Sequence, residues 1–193
     1  MTFAQYILAQ EDYLKKVQIV YVLAQRENIY FDKSVVFKTD LLQAVIECME
    51  LDVDENEMIT ASLLCACKKD DSPSWQEKLE TYGTEGAEFL KTLGFSDRFC
   101  KICEGHNRYN TQTNREYESD ILEVIDNFGG MLLYRTERPA YSVEDAIVLL
   151  ESRNLKNKNN KFLDTFKEFV DIPGIIDAIK FLQKTANDVV KLT

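Results

Sequence analysis

The sequence predicts an all-α fold, and two observations support this prediction. Only 7 Gly and 3 Pro occur among the 193 residues, whereas all-β folds need many turns and therefore many of these residues. Apolar residues also recur at helical spacing through most of the chain. A chain of this length fits one domain that buries its core without disulfides.

The first part of the chain predicts three helices. Residues 2–27 read as one helix, because their apolar side chains recur at roughly helical spacing. Residues 28–37 are ambiguous between a connector and a short extended segment. A second helix is expected from about Thr39, and a third over residues 55–67.

Local signals place helix boundaries in the middle of the chain. Ser72 is a candidate cap for a helix with Pro73 at its first position, where the missing N–H costs nothing. A short helix over residues 86–93 should end at Gly94, which can adopt a left-handed conformation. Ser96 should then cap the following helix.

The last part of the chain predicts three more helices. The polar residues 109–115 read as a loop, and a helix should follow over residues 116–134. Residues 142–145 (SVED) have the pattern of a capping box and should open another helix. Residues 156–161 look like an exposed loop. An apolar stripe follows, which consists of Phe162, Phe166, Phe169 and Val170. Pro173 should then open a final amphipathic helix that reaches Val189.

Composition limits the classes of partner. The net charge of −10 argues against a nucleic acid or an anionic membrane surface, because both require clustered Lys and Arg. The chain opens without a basic stretch leading into an apolar signal core, and no later run has the length of a membrane span. We therefore expect a cytoplasmic protein.

The cysteines permit two interpretations. Their odd number, five, fits reduced core thiols better than a disulfide framework. Alternatively, zinc is a candidate ligand, because Cys65 and Cys67 form a C-x-C pair, and His106 lies three residues past the C-x-x-C pair of Cys100 and Cys103. The most plausible version of such a site combines Cys65, His106 and Asp126.

Four segments, in order, resemble the HD superfamily of metal-dependent phosphohydrolases, and specifically its HD-GYP branch. Residues 61–69 (ASLLCACKK) are similar to A-A-L-L-H-D-I-G-K, and residues 82–90 (YGTEGAEFL) to H-P-x-x-G-A-E-x-L. Residues 104–107 (EGHN) stand in the place of Y-H-H-E. Residues 126–146 resemble D-x-F-D-A-L, then R-x-x-R-x-A-x-S-x-E-E-A. The resemblance spans residues 39–170 and implies an all-α bundle of five or more helices.

The resemblance also implies that the hydrolytic site is lost. In active members, histidines and aspartates hold two metal ions, which activate a water for attack on a phosphodiester. Here Cys65 replaces the His and Ala66 the Asp of the pair that gives the family its name, and Tyr82 replaces the next His.

The remaining ligand positions are also depleted. Gly105 replaces one of two paired histidines, and His106 keeps the other. Asp126 stands at the final carboxylate. The G-Y-P segment is absent, and so is an early ligand His, because the chain contains a single histidine. We therefore expect no cofactor and no canonical hydrolysis.

Basic residues give a second hypothesis for the vestigial site. Lys69 matches a family lysine on the phosphate side of the pocket, and Lys68, Arg108, Arg135 and Arg138 are further candidates to hold a phosphoryl ligand. The alternative is that these cations are simply solvated. Asp126, in an apolar helix, is predicted either to pair with Arg135 or Arg138 or to remain as a relic metal ligand.

Together these observations predict an N-terminal helical extension (residues 1–38), an HD-GYP-like domain (39–170) and a C-terminal helix (171–193). The expected function is that of a catalytically inactive HD-type domain in a bacterial cell, acting as a regulatory or protein-interaction module. The terminal helices are candidates for binding a partner protein or for self-association. The alternatives are a sensor of a nucleotide or cyclic dinucleotide, and a phosphohydrolase with a rewired single-metal site.

Overall fold

The computed structural model describes residues 1–69, 78–109, 115–135, 138–157 and 159–188. These ranges contain ten α-helices and no strand, which confirms the all-α class; an isolated bridge joins Arg135 and Arg138. The helices are α1 (Phe3–Leu8), α2 (Tyr13–Glu27), α3 (Lys33–Cys48), α4 (Glu55–Leu64), α5 (Tyr82–Thr92), α6 (Asp97–Gly105), α7 (Tyr117–Met131), α8 (Val143–Asn157), α9 (Leu163–Asp171) and α10 (Ile175–Asp188).

The prediction of one helix over residues 2–27 is wrong, because two helix caps compete within it. The Thr2 side chain and Gln5 form a capping box that starts α1. Asp12 then accepts a hydrogen bond from the Lys15 N–H at 3.1 Å and starts α2 as a new helix. The chain therefore turns between the two helices, so that both pack against α4.

A buried lysine fixes this turn. Lys16 is only 1% exposed, and its ammonium donates hydrogen bonds to the Ile7 carbonyl at 3.0 Å and to the Thr60 hydroxyl at 2.5 Å. These bonds join the end of α1 to α4. Burial lowers the pKa of Lys16 to about 8.

The second predicted boundary is also wrong, since α3 begins at Lys33 and not near Thr39. The Asp32 carboxylate accepts hydrogen bonds from the backbone N–H groups of Ser34 and Val35, at 2.8 and 3.2 Å, and so caps the helix earlier. Only residues 28–32 remain as the connector. The predicted division between residues 38 and 39 falls inside α3, and the domain division stays a prediction.

Most other boundaries agree with the sequence signals. Gly94 ends the turn after α5 with φ +92°, and Ser96 caps α6 by accepting from the Phe99 N–H at 3.1 Å. Ser142 caps α8 by accepting from the Asp145 N–H at 3.0 Å. However, α5 begins at Tyr82 and not at residue 86.

Several predictions can be tested only in part. The start proposed at Ser72 and Pro73 and the end at Val189 lie outside the described residues. The same holds for most of the predicted loop 109–115. The last helix begins at Ile175, two residues later than the predicted start at Pro173.

The core lies between α3, α4, α6 and α7, which pack against one another in pairs. Both ends of the chain fold back onto these helices: α1 and α2 pack on α4, and α9 and α10 pack on α3. Four phenylalanines fill the space between α7 and α9: Phe128, Phe162, Phe166 and Phe169. None of the described helices is long and apolar enough to cross a membrane.

Candidate functional site

The centre of the predicted site is an ion pair between Lys38 on α3 and Asp126 on α7. The Lys38 Nζ lies 2.6 Å from Asp126 Oδ1, and the two side chains are 6% and 19% exposed. The prediction that Asp126 pairs with Arg135 or Arg138 is therefore wrong. Helices α3 and α7 pack directly on each other, which places the lysine beside the carboxylate.

The surrounding charges keep Asp126 ionised. Burial acts to raise the pKa of Asp126, but the charges of Lys38 and Lys69 hold it well below its ordinary value. The ionised carboxylate is thus already neutralised by a cation of the chain itself.

Gly129, one turn after Asp126, makes room for the Lys38 side chain. A Cβ at Gly129 would lie 2.6 Å from Lys38 Cγ, which is closer than two non-bonded carbon atoms can approach. The lysine stem therefore lies directly against the backbone of α7. This close approach lets a long side chain fit between two packed helices.

His106 is held as a neutral structural histidine. It is fully buried; its Nδ1 contacts the Cys103 carbonyl, and its Nε2 lies 3.4 Å from the Tyr82 hydroxyl. Because a carbonyl only accepts, Nδ1 carries the proton and Nε2 can accept from Tyr82. Burial lowers the pKa of His106 to about 4, so the ring is uncharged near neutral pH.

The buried cysteines are thiols and not thiolates. Burial, with the nearby Asp126 charge, raises the pKa of Cys65 to about 12, and its Sγ lies 3.7 Å from the Ser62 carbonyl oxygen. Burial raises the pKa of Cys67 to about 12 as well. Within the described ranges, no group of three or more His, Cys, Asp or Glu side chains is arranged to hold a metal ion.

Packing closes the position of Gly105, where the resemblance leads one to expect a histidine. A Cβ at Gly105 would lie 2.5 Å from Ser119 Oγ, and Ser119 in turn donates to the Ile102 carbonyl at 3.0 Å. Helices α6 and α7 are therefore too close here for any side chain larger than hydrogen. A histidine at this position requires the two helices to separate.

A small cavity remains beside the ion pair, between α3, α4 and α7. Its volume is about 10 Å³, which is room for about one water molecule. Its polar lining comes from Lys38, Ser62, Cys65 and Asp126, and Ala66 also lines it. A nucleotide cannot enter a space of this size without rearrangement of the helices.

The three residues that were predicted to bind phosphate make different contacts, and their role as a phosphate site stays a prediction. The Lys69 ammonium lies 5.7 Å from the centre of the Tyr30 ring, and it acts electrostatically on Asp126. Arg138 donates to the Gly130 carbonyl at 2.7 Å, at the end of α7, and Arg135 contacts the same glycine. None of the three lines the cavity.

Sequence reasoning missed Lys38, Gly129 and Ser119. One signal was present, since Lys38 interrupts an apolar stripe that runs from Val35 to Leu42 on one helix face. A lysine within such a stripe indicates a buried cation that needs an acidic partner. The glycine and the serine carry no such signal, because their role depends on how closely two helices approach.

Comparison of the chain with protein-family models, with characterised proteins and with solved structures finds no match. The local geometry is therefore the basis on which a function is inferred.

Proposed function

We propose that this chain is a catalytically inactive domain of the HD type that acts as a regulatory or protein-interaction module. The observation that carries the proposal is the contact between the Lys38 ammonium and the Asp126 carboxylate. In the family that the sequence resembles, this carboxylate position is a metal ligand. Here the charge of a lysine takes the place that a metal charge would have.

A metal ion bound to Asp126 would lie beside the Lys38 ammonium, which repels it and already neutralises the carboxylate. Removing one partner from a buried ion pair costs about 3–5 kcal/mol, because the other charge is left without compensation. The other family positions offer few ligands: Ala66 and Gly105 have no donor side chain, and the buried Cys65 Sγ lies 3.7 Å from the Ser62 carbonyl oxygen. These residues do not fit a dinuclear centre.

An exposed apolar surface on the N-terminal helices supports the interaction part of the proposal. On α2, Leu14, Tyr21 and Val22 are 69%, 55% and 65% exposed, and Tyr6 on α1 is 40% exposed. Leu14 and Tyr21 lie seven positions apart and therefore share one face of α2, and exposed apolar side chains that share a face are typical of protein contacts. At the other end of the chain, Phe181 on α10 is 70% exposed.

Neither alternative function is favoured by an observation at this site. A nucleotide or cyclic dinucleotide is far larger than the cavity of about 10 Å³ beside Asp126. A single-metal enzyme built on Cys65, His106 and Asp126 requires these side chains to converge, whereas in the described ranges no group of three or more His, Cys, Asp or Glu side chains could hold a metal ion.

A hydrolysis assay tests the catalytic part of the proposal. The purified chain, supplied with Mn²⁺ or Fe²⁺, is incubated with bis(p-nitrophenyl) phosphate, and we expect no turnover above the metal alone. Hydrolysis by the parent that is abolished in Asp126→Asn contradicts the proposal. His106→Gln serves as a second variant, since it removes the remaining family histidine.

Sedimentation velocity tests the interaction part. If the N-terminal helices mediate self-association, the parent forms a concentration-dependent oligomer, and Leu14→Ser with Val22→Ser abolishes it. Val148→Ser on α8 is the matched control, because Val148 is equally exposed, at 65%. An oligomer that persists in the double variant, or one that Val148→Ser also abolishes, contradicts the assignment of this surface.

A further inference from the structure

One face of α2 is exposed and carries no charge. The buried residues of this helix, which include Val20 and Leu23, lie on its opposite side. The exposed face, here named the α2 stripe, spans about 100° of arc and consists of Leu14, Gln18, Tyr21, Val22 and Gln25. Interface centres are depleted of charge and enriched in aromatic residues. In a chain in which 29% of the residues are charged, the stripe therefore has the composition of an interface centre.

Two exposed residues of opposite charge flank the α2 stripe. Glu11 precedes the helix by two positions and lies seven positions before Gln18, whereas Arg26 lies eight positions after Gln18, in the last turn. Arg26 pairs with its neighbour Glu27 at 3.1 Å, but the Arg26 side chain is 81% exposed. Because an exposed pair of this kind contributes little free energy, Arg26 can exchange its partner. The two ends of the stripe thus carry complementary charges.

We propose that the α2 stripe is a contact between two copies of this chain, which pair antiparallel about a two-fold axis near Gln18. In this pair, Leu14 of each copy faces the partner's Val22, and Glu11 of each copy lies near the partner's Arg26. A glutamine amide both donates and accepts, so the two Gln18 side chains at the axis can hydrogen-bond to each other. The same surface thus serves both copies, as a two-fold interface requires.

The charges select both the partner and the direction. The net charge of −10 makes two copies repel each other, and the uncharged stripe is a place where they can approach. A parallel pair would bring together the two Glu11 side chains and the two Arg26 side chains, which repel. An antiparallel pair also sets the positive N-terminus of each helix beside the negative C-terminus of the other. The inference rests on the interaction part of the proposed function, and it adds the partner, the direction and the register.

Thiol crosslinking tests the pairing at its axis. Gln18→Cys is introduced after Cys48, the exposed cysteine, has been replaced by Ser. A residue on a two-fold axis faces its own copy, so a short bismaleimide should convert this variant to a covalent dimer, in a yield that rises with protein concentration. Val148→Cys on α8 is the matched control, because Val148 is 65% exposed, and it should stay monomeric. A yield for Gln18→Cys no higher than for this control overturns the proposal.

A mixing experiment tests the direction of the pair. Leu14→Cys and Val22→Cys are prepared separately, each with Cys48→Ser. Because Leu14 faces the partner's Val22 in the antiparallel pair, the two variants should crosslink efficiently only when they are mixed. Efficient crosslinking of each variant by itself, without a gain on mixing, would indicate a parallel pair and overturn the proposal.

Charge exchange tests the flanking contacts by sedimentation equilibrium. Glu11→Arg should raise the dissociation constant of the dimer at least about threefold, and Glu11→Arg, Arg26→Glu should restore it. No recovery in the double variant contradicts the antiparallel register. If Leu14→Ser, Val22→Ser abolishes an oligomer that Gln18→Cys does not crosslink, the interaction surface of the proposed function stands and the antiparallel pairing fails. A parent that stays monomeric at all concentrations overturns the pairing and leaves the catalytic part of the proposed function unaffected.

Discussion

Two charged regions of this molecule differ in how their charges are balanced. Around Asp126, a buried carboxylate contacts the Lys38 ammonium at 2.6 Å, and neutral His106 and Cys65 surround the pair. Around Arg115, by contrast, one guanidinium lies 3.0 Å from the Asp120 carboxylate and 2.8 Å from the Glu123 carboxylate, so that two acids share one cation. The first region is balanced one charge to one, whereas in the second the Asn160 side chain donates to Glu123 and the Lys161 backbone N–H donates to Asp120. In both regions, donors of the chain itself hold the largely buried carboxylates.

The largest expected effect comes from breaking the Lys38–Asp126 pair. Lys38→Met leaves the Asp126 carboxylate without its ion-pair partner and should lower the free energy of unfolding by about 3–5 kcal/mol. The double variant Lys38→Met, Asp126→Leu should recover most of the lost stability. Urea unfolding of the parent, both single variants and the double variant measures the coupling. Additive effects of the two substitutions would contradict an ion pair at this position.

The close packing of Lys38 on α7 gives the second prediction. Gly129→Ala should destabilise the protein by about 1–3 kcal/mol, because the new methyl group clashes with the lysine stem. Gly86→Ala in α5 is the control, since its Cβ would lie 3.6 Å from its nearest neighbours, and it should be neutral or stabilising. Urea unfolding measures both; equal effects of the two substitutions would show that Gly129 has no special role.

The buried histidine gives a pH dependence with a defined sign. Because the pKa of His106 is lowered to about 4 in the folded state, the unfolded state binds more protons between this value and its ordinary pKa of about 6.5. The contribution of neutral His106 to the free energy of unfolding is complete above its ordinary pKa of about 6.5 and is lost as the pH falls toward 4. We expect the free energy of unfolding to drop by about 2 kcal/mol between pH 7.5 and 5.

Urea unfolding at the two pH values measures this loss, and His106→Gln provides the comparison. The chain contains a single histidine, so the difference between parent and variant isolates its titration. Asp126, whose pKa lies below its ordinary value, does not titrate in this window. An identical pH dependence in parent and variant would mean that His106 is not held neutral.

The smallest effect concerns thiol reactivity and leaves the fold unchanged. Of the five cysteines, Cys48 is exposed and the other four are buried. We expect 5,5′-dithiobis(2-nitrobenzoic acid) to modify one thiol in the native protein and five after unfolding, because the thiolate is the reactive form. Rapid modification of Cys65 in the native state would contradict its high pKa and its enclosure.

The sequence was sufficient for features that depend on local patterns. Scarce glycine and proline predicted an all-helical protein, and the caps at Ser96 and Ser142 lie where their side chains indicated. Helix starts were misplaced where an aspartate caps a helix, at Asp12 and Asp32, because such a cap can interrupt a continuous apolar pattern.

The candidate site was less predictable, because it depends on helix packing. That Asp126 needs a cationic partner follows from its apolar surroundings, but the sequence could not select Lys38, which is 88 residues away. Likewise, the restriction at Gly105 arises from Ser119 on another helix. The face of a helix on which a residue lies can be predicted from the periodicity of the sequence. Contacts between two helices depend on how the helices are placed relative to each other, which periodicity does not give.

Metal analysis of the purified protein tests the central claim most directly. The chain is saturated with Zn²⁺ and Mn²⁺, desalted and measured by inductively coupled plasma mass spectrometry, beside the double variant Cys65→Ala, His106→Ala. The pairing of Lys38 with Asp126 predicts far less than one equivalent of metal in the parent and no difference from the variant. About one equivalent in the parent that is lost in the variant would contradict the claim that this site has been closed by the chain's own lysine.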